Sequence, residues 1–183
     1  IPASDYEGHM NAANVGQWSV LNRIFADTVA EFAPSSLAVL GCSTGNGFEH
    51  IDPQVTQRIV GIDINEIALR KACRTLEGGD IHFALMDAER LAFEDGGFDL
   101  VNISASLHHV ANIAPVLEEM RRVLVPGGHF ILIEMHADAR TEAELTSIYL
   151  HQWVAAVDTA LGTLHNPTLA RQDETLRLVT GVG

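Results

Sequence analysis

The chain has 183 residues, 47% apolar and 19% charged, which suits one domain around one core and excludes a disordered chain. A formal net charge of −13 repels phosphate backbones and anionic lipid, so bulk binding to nucleic acid is not expected. No apolar run has the length of a membrane span, and the opening IPASDYEGHM lacks the basic and apolar regions of a signal peptide.

In chain order, Val15, Trp18, Leu21, Phe25, Val29 and Phe32 recur at helical spacing, so a helix is predicted over Asn14–Phe32, ended by Pro34 and two serines. Leu37–Leu40 is a short buried strand that runs into the small-residue loop GCSTGNG. A second helix is expected from Asn46, cut short by Asp52-Pro53. Arg58–Ile64 is a second strand with Asp63 near its end. Asn65 suits the N-cap of the helix that follows, and Gly78-Gly79 its stop. Ile81–Leu85 and Phe98–Ile103 are further strands. Asn112–Leu124 is a helix with Pro115 in its first turn. Pro126-Gly127-Gly128 is a turn before a fifth strand, His129–Met135. Thr141–Leu161 is a long helix whose Thr141 and Glu144 have capping-box spacing. One strand is expected around Leu176–Val179. Trp18 and Trp153 fall on helical patterns and are assigned to packing.

Short strands alternating with helices predict an α/β fold: Rossmann-like, doubly wound, with a mostly parallel sheet and helices on both faces. One domain is expected across 1–183: an N-terminal helical lid over 1–35, a ligand-binding core over 36–136, and a C-terminal helix and sheet edge over 137–183. Ligands of such sheets bind at the carboxyl ends of the strands. The residues there are Gly41, Cys42, Ser43 and Gly45 after the first strand, Asp63 after the second, Met86-Asp87-Ala88 after the third, and Ser104 to His109 after the fourth. Small loop residues admit a ligand to the backbone, and Asp63 is spaced to accept from ribose hydroxyls. Taken singly, each has a plainer explanation. Asp63 and Asp87 suit cap or turn positions, and His108 and His109 suit one packed and one solvated ring. The two cysteines form no CxxC, and the nine histidines form no HxxxH or HExxH. No metal is expected, Cys42 is assigned as a small filler, and the expected compartment is the cytoplasm.

Taken in order, these pieces resemble the class I S-adenosylmethionine-dependent methyltransferases, in the branch of small-molecule and quinone-biosynthesis enzymes. The resemblance runs from about Leu37 to Met135 through VLGCSTGNG, GIDINEIAL, DAERLAFEDGGFDLV, SASLHHV and LEEMRRVLVPGGHFILIE. It implies binding of S-adenosyl-L-methionine, release of S-adenosyl-L-homocysteine, and in-line methyl transfer to an O, N or C nucleophile of a small molecule. Gly41, Cys42, Ser43 and Gly45 would border the amino-acid end. Asp63 would hold the ribose diol, Ile64 and Ala88 would lie beside the adenine, Asp87 would accept from its amino group, and Ser104 would border the methionine moiety. His109, with His108 second, would face the methyl group as a base or pocket wall. Tyr6, His9, Met10 and Trp18 are candidates for the substrate pocket.

The chain departs from that family at Val39, where an acid is frequent, and at Ser43, where glycine is frequent. The family sheet also usually ends in an antiparallel hairpin, for which little strand signal follows Leu161. Two alternatives stay open: a methyltransferase-fold protein that binds or docks without catalysis, and a nicotinamide-dependent oxidoreductase. The latter is disfavoured because GCSTGNG is out of GxGxxG register and no Tyr-x-x-x-Lys occurs. A monomer or homodimer is expected.

Overall fold

The structure is a computed structural model that describes residues 19–45, 47–52, 54–110, 112–138, 140–161 and 171–181. Five strands form one parallel sheet: β1 (Ser36–Leu40), β2 (Arg58–Asp63), β3 (Ile81–Leu85), β4 (Phe98–Ser104) and β5 (Leu124–Ile133). Their order is β3-β2-β1-β4-β5, so the winding reverses between β1 and β4. Helix α1 covers 19–32, and α2 (Glu66–Thr75), α3 (Ile113–Val123), α4 (Glu142–Ala160) and α5 (Gln172–Gly181) follow.

Alternation along the central strands divides the core between the two faces of the sheet. Leu37 and Val39 pack with Phe25 and Val29 of α1 and Leu69 of α2. Ala38 and Leu40 pack with Val116, Leu117, Met120 and Val123 of α3. This is the doubly wound arrangement expected of short, continuously apolar strands. Local signals act where the sequence placed them. Asn65 Oδ1 accepts from Ile67 N and Ala68 N, and Thr141 and Glu144 form a complete capping box. The loop before β4 is held by Arg122 of α3, which donates to the carbonyls of Leu91 and Phe93 and to Asp95 and Glu119. That hydrogen bond from Arg122 lowers the Glu119 pKa against its partial burial.

Four expectations change. The helix expected from Asn46 is, among described residues, a single 3-10 turn at Phe48–His50, because Asp52 Oδ1 accepts from Gln54 N and turns the chain away. Pro126-Gly127-Gly128 is not a turn ahead of β5 but a bulge within it. Pairing steps from Phe98–Leu124 to Leu100–His129, and Val125–Gly128 loop out. β5 is an edge strand of the described sheet, so a proline without a donor is tolerated there. Leu176–Val179 is helical, not extended. Thr175 and Val179, four residues apart, turn inward, and Val179 packs on the α3-side core while Arg177 pairs with Asp173. Finally, Trp153 is 59% exposed rather than packed, because α4 carries apolar residues around its whole circumference and buries only Ile148 and Ala155.

Candidate functional site

The loop after β1 is shaped by positive φ angles at Gly41 (66°), Ser43 (48°) and Gly45 (82°). A Cβ on Gly41 would lie 2.6 Å from Ser106 Cβ, so only glycine lets this loop meet the turn after β4. Ser43 holds a left-handed conformation that costs a residue with a Cβ about 1–2 kcal/mol. It is held there by Asp63, whose Oδ2 accepts from Ser43 N at 2.7 Å while Oδ1 accepts from Asn65 N at 2.8 Å. The acid after β2 therefore clasps the loop after β1 and keeps unused lone pairs on both oxygens for a ligand. Cys42 is buried against Gly61, where a Cβ would come within 3.0 Å of its sulfur. Burial, then the charge of Asp63, pushes its thiol up to about 12, which leaves it a filler and not a nucleophile.

Met86 N donates to the Asp63 carbonyl and carries the clasp on to β3. Asp87 is exposed, and its Oδ1 accepts from Glu89 N at 2.9 Å, the turn role that its sequence position suggests. Ile64 is 71% exposed beside Asp63, and Ala88 is half-buried against the core. At β4, Ser104 Oγ pairs with the side-chain amide of Asn102, which is 1% exposed. Asn102 stands opposite Val39 in the β1–β4 register, so an amide lies level with the position where the resembled family frequently has an acid.

Beyond Ser104 the chain turns through Ala105 (φ 47°) into a 3-10 turn, Leu107–His109. Its two histidines separate. His109 is exposed, and the side chain of His108 is 8% exposed, with Nδ1 2.9 Å from Oε1 of Glu134, whose side chain is 11% exposed. Glu134 also accepts from Leu107 N and Met135 N, both at 2.8 Å. Burial would raise its pKa, but the hydrogen bond and charge of His108 and the two N–H groups outweigh that and lower it. The His108 ring lies 4.2 Å from that of His109 and meets the ring of His151, on α4, edge-on at 4.7 Å.

The structure brings Gly41, Cys42, Ser43, Gly45, Asp63, Ile64, Asp87, Ala88 and Ser104 to the carboxyl edge of the sheet. Tyr6, His9, Met10 and Trp18 lie outside the described residues. Glu134, His151 and Asn102 were not among the expected site residues. Glu134 had a signal: it is the acid that ends an apolar strand, as Asp63 is. His151 had none, since it is one polar residue in a long helix. Among the described residues, no group of three His, Cys, Asp or Glu could hold a metal ion. Nor does any described helix have the length and apolarity to cross a membrane.

Residues 38–132, more than half of the chain, match the model of a family described as a methyltransferase domain. Over 83 residues the chain is 42% identical to the ubiquinone/menaquinone biosynthesis C-methyltransferase of Hydrogenovibrio crunogenus, a match covering 43% of this chain and 33% of that protein. Over 139 residues it is 31% identical to the demethylmenaquinone methyltransferase of Symbiobacterium thermophilum, covering 72% and 55%. The chain thus spans between a third and about half the length of these relatives. Its fold is similar to that of the YcgJ protein from Bacillus subtilis, with a TM-score of 0.71 at 19% identity over 88% of this chain and 66% of that one.

Proposed function

The chain belongs to the class I S-adenosylmethionine-dependent methyltransferases, and on that premise we propose that it transfers the methyl group of S-adenosylmethionine to a small-molecule acceptor. The observation that carries this is the Asp63–Ser43 clasp, which joins the acid after β2 to the loop after β1 next to the reversal point of the sheet. The residues fit the cofactor chemically. Asp63 offers acceptors to a ribose diol, Ile64 an exposed apolar face to adenine, and Asp87 a carboxylate to an amino group. The glycine-shaped loop leaves backbone within reach of the amino-acid end. Val39 provides no charge for that end's ammonium, and the Asn102–Ser104 pair is the polar group at the same level of the sheet.

When bound, the cofactor would supply an electrophilic methyl carbon on a sulfonium, with a neutral thioether as its leaving group. The protein's part is to align the acceptor, exclude water and take up a proton where the acceptor has one to lose. Exposed His109 stands at the rim for such a role, and paired His108 stands inside.

Calorimetric titration with S-adenosylmethionine, S-adenosylhomocysteine and NAD tests the proposal. Binding of the first two but not NAD, with loss in Asp63→Ala, is expected. Binding of NAD alone supports the oxidoreductase, and binding of none supports a protein that docks without catalysis.

A further inference from the structure

Resting on the methyl-transfer reading, we propose that Asn102 and Ser104 of β4 hold the ammonium group at the amino-acid end of the cofactor. They do so with neutral acceptors, the amide Oδ1 and the hydroxyl Oγ.

The first observation is an amide with bonding capacity to spare. Asn102 is 1% exposed inside the sheet. A side-chain amide can make four hydrogen bonds, two from its nitrogen and two to its oxygen. Among the described residues, this one meets a single hydroxyl: Nδ2 lies 3.0 Å and Oδ1 3.2 Å from Ser104 Oγ. The neighbouring strands bring nothing further, since Asn102 stands between Val39 of β1 and Ile131 of β5, both apolar. Burying an amide with half its capacity unused is costly, and native cores rarely do so. A position built only for packing would be apolar, as Leu100 is two residues earlier on the same face.

The second observation is where the pair lies. Ser104 ends β4 and is half-buried, so the pair opens toward the carboxyl edge of the sheet. Beside it, Ser106 Oγ is 3.0 Å from the Ser104 carbonyl and 3.4 Å from the Gly41 carbonyl. This end of β4 is therefore tied to the loop that would border the amino-acid end. The winding also reverses between β1 and β4, the place where such sheets bind ligands.

The third is the balance of donors and acceptors. After the two mutual bonds, the pair keeps two lone pairs and one N–H, so it is chiefly an acceptor. An ammonium has three donors and no lone pair, and it matches that surplus. Neutral acceptors also avoid leaving an unpaired carboxylate buried when the site is empty.

Calorimetry with two ligands tests this: S-adenosylhomocysteine and its analogue with hydrogen in place of the α-amino group. Hydrogen bonds to a charged group imply that wild type prefers the amine about tenfold or more. In Asn102→Val, S-adenosylhomocysteine should lose about tenfold while the analogue stays within about twofold, so the preference disappears. Asn102→Asp should widen the preference beyond wild type, because a carboxylate attracts an ammonium more strongly. Ser104→Ala should narrow it about threefold, and it carries the test if Asn102→Val does not fold. An unchanged preference in these two variants overturns the proposal. So does an equal loss of both ligands, which marks a purely structural amide. Equal binding of both ligands by wild type overturns the assignment alone. Failure of wild type to bind either ligand defeats the methyl-transfer reading, and this assignment with it.

Discussion

The two sides of the sheet's reversal point are built differently. On the β1–β2–β3 side, the polar atoms at the carboxyl edge of the sheet are backbone groups and the carboxylates of Asp63 and Asp87. Each carboxylate is braced by an N–H two residues further on, Asn65 and Glu89. On the β4–β5 side, the polar groups are side chains gathered around His108, which meets a partner 26 residues away. The first side combines local turns with one clasp between neighbouring strand ends, Ser43 N on Asp63. The second exists only because β5 and α4 return to the end of β4.

That contrast can be broken at its joint. Gly41→Ala places a Cβ on Ser106 at a left-handed position, and strain of about 1–3 kcal/mol adds to overpacking of similar size. A large drop in the denaturation midpoint is expected, recovered in part by Ser106→Gly. If the single variant melts like wild type, the two sides are not packed together as described.

Asp63→Ala removes a charged acceptor of the kind worth about 1.5–3 kcal/mol. A ten- to hundredfold loss of S-adenosylhomocysteine affinity is expected by calorimetry, with a small change in melting temperature. Unaltered affinity would move the cofactor site off the β1–β2–β3 side.

Glu134→Gln sharpens the other side through pH. The folded pKa of Glu134 lies below that of an ordinary carboxylate, so its pairing stabilises the fold above the ordinary value. The contribution is lost as pH falls through the lowered value. In Glu134→Gln the acid limb of the stability curve should flatten, while the alkaline side stays parallel to wild type. Parallel acid limbs would show that Glu134 is not held ionised by its partners in the folded protein.

The smallest effect is expected at Ser43→Gly. Relief of a left-handed Cβ, worth about 1–2 kcal/mol, is partly offset by the extra chain entropy of glycine, about 0.5–1 kcal/mol. A gain below about 1 kcal/mol in chemical denaturation is expected, with cofactor affinity little changed.

Much of the first side was legible because its signals are short. An apolar run followed by small residues gave β1 and its loop, and an acid at a strand end gave Asp63. A polar residue just before an apolar-periodic run gave the caps at Asn65 and Thr141. The readings that failed share a cause. Pro126-Gly127-Gly128 has the composition of a turn, yet an edge strand absorbs it as a bulge. Leu176–Val179 has the composition of a strand, yet one inward face is enough to make it a helix. Trp153 has the spacing of a packed residue on a helix that is apolar on every side, so spacing alone could not say which face is covered.

By itself the sequence determined the alternation of strands and helices, the order of the strand-end residues along the chain, and the loop chemistry of the cofactor side. These follow from backbone preferences and short-range patterns, although the clasp of Asp63 on Ser43 needed the strands to pair. Only the tertiary structure decided which of two adjacent histidines is buried, that Glu134 is its partner, that His151 closes on the same ring, and that Asn102 faces Val39. Those are meetings between elements far apart in the chain. They are set by sheet register and the packing of returning segments, which no local pattern encodes.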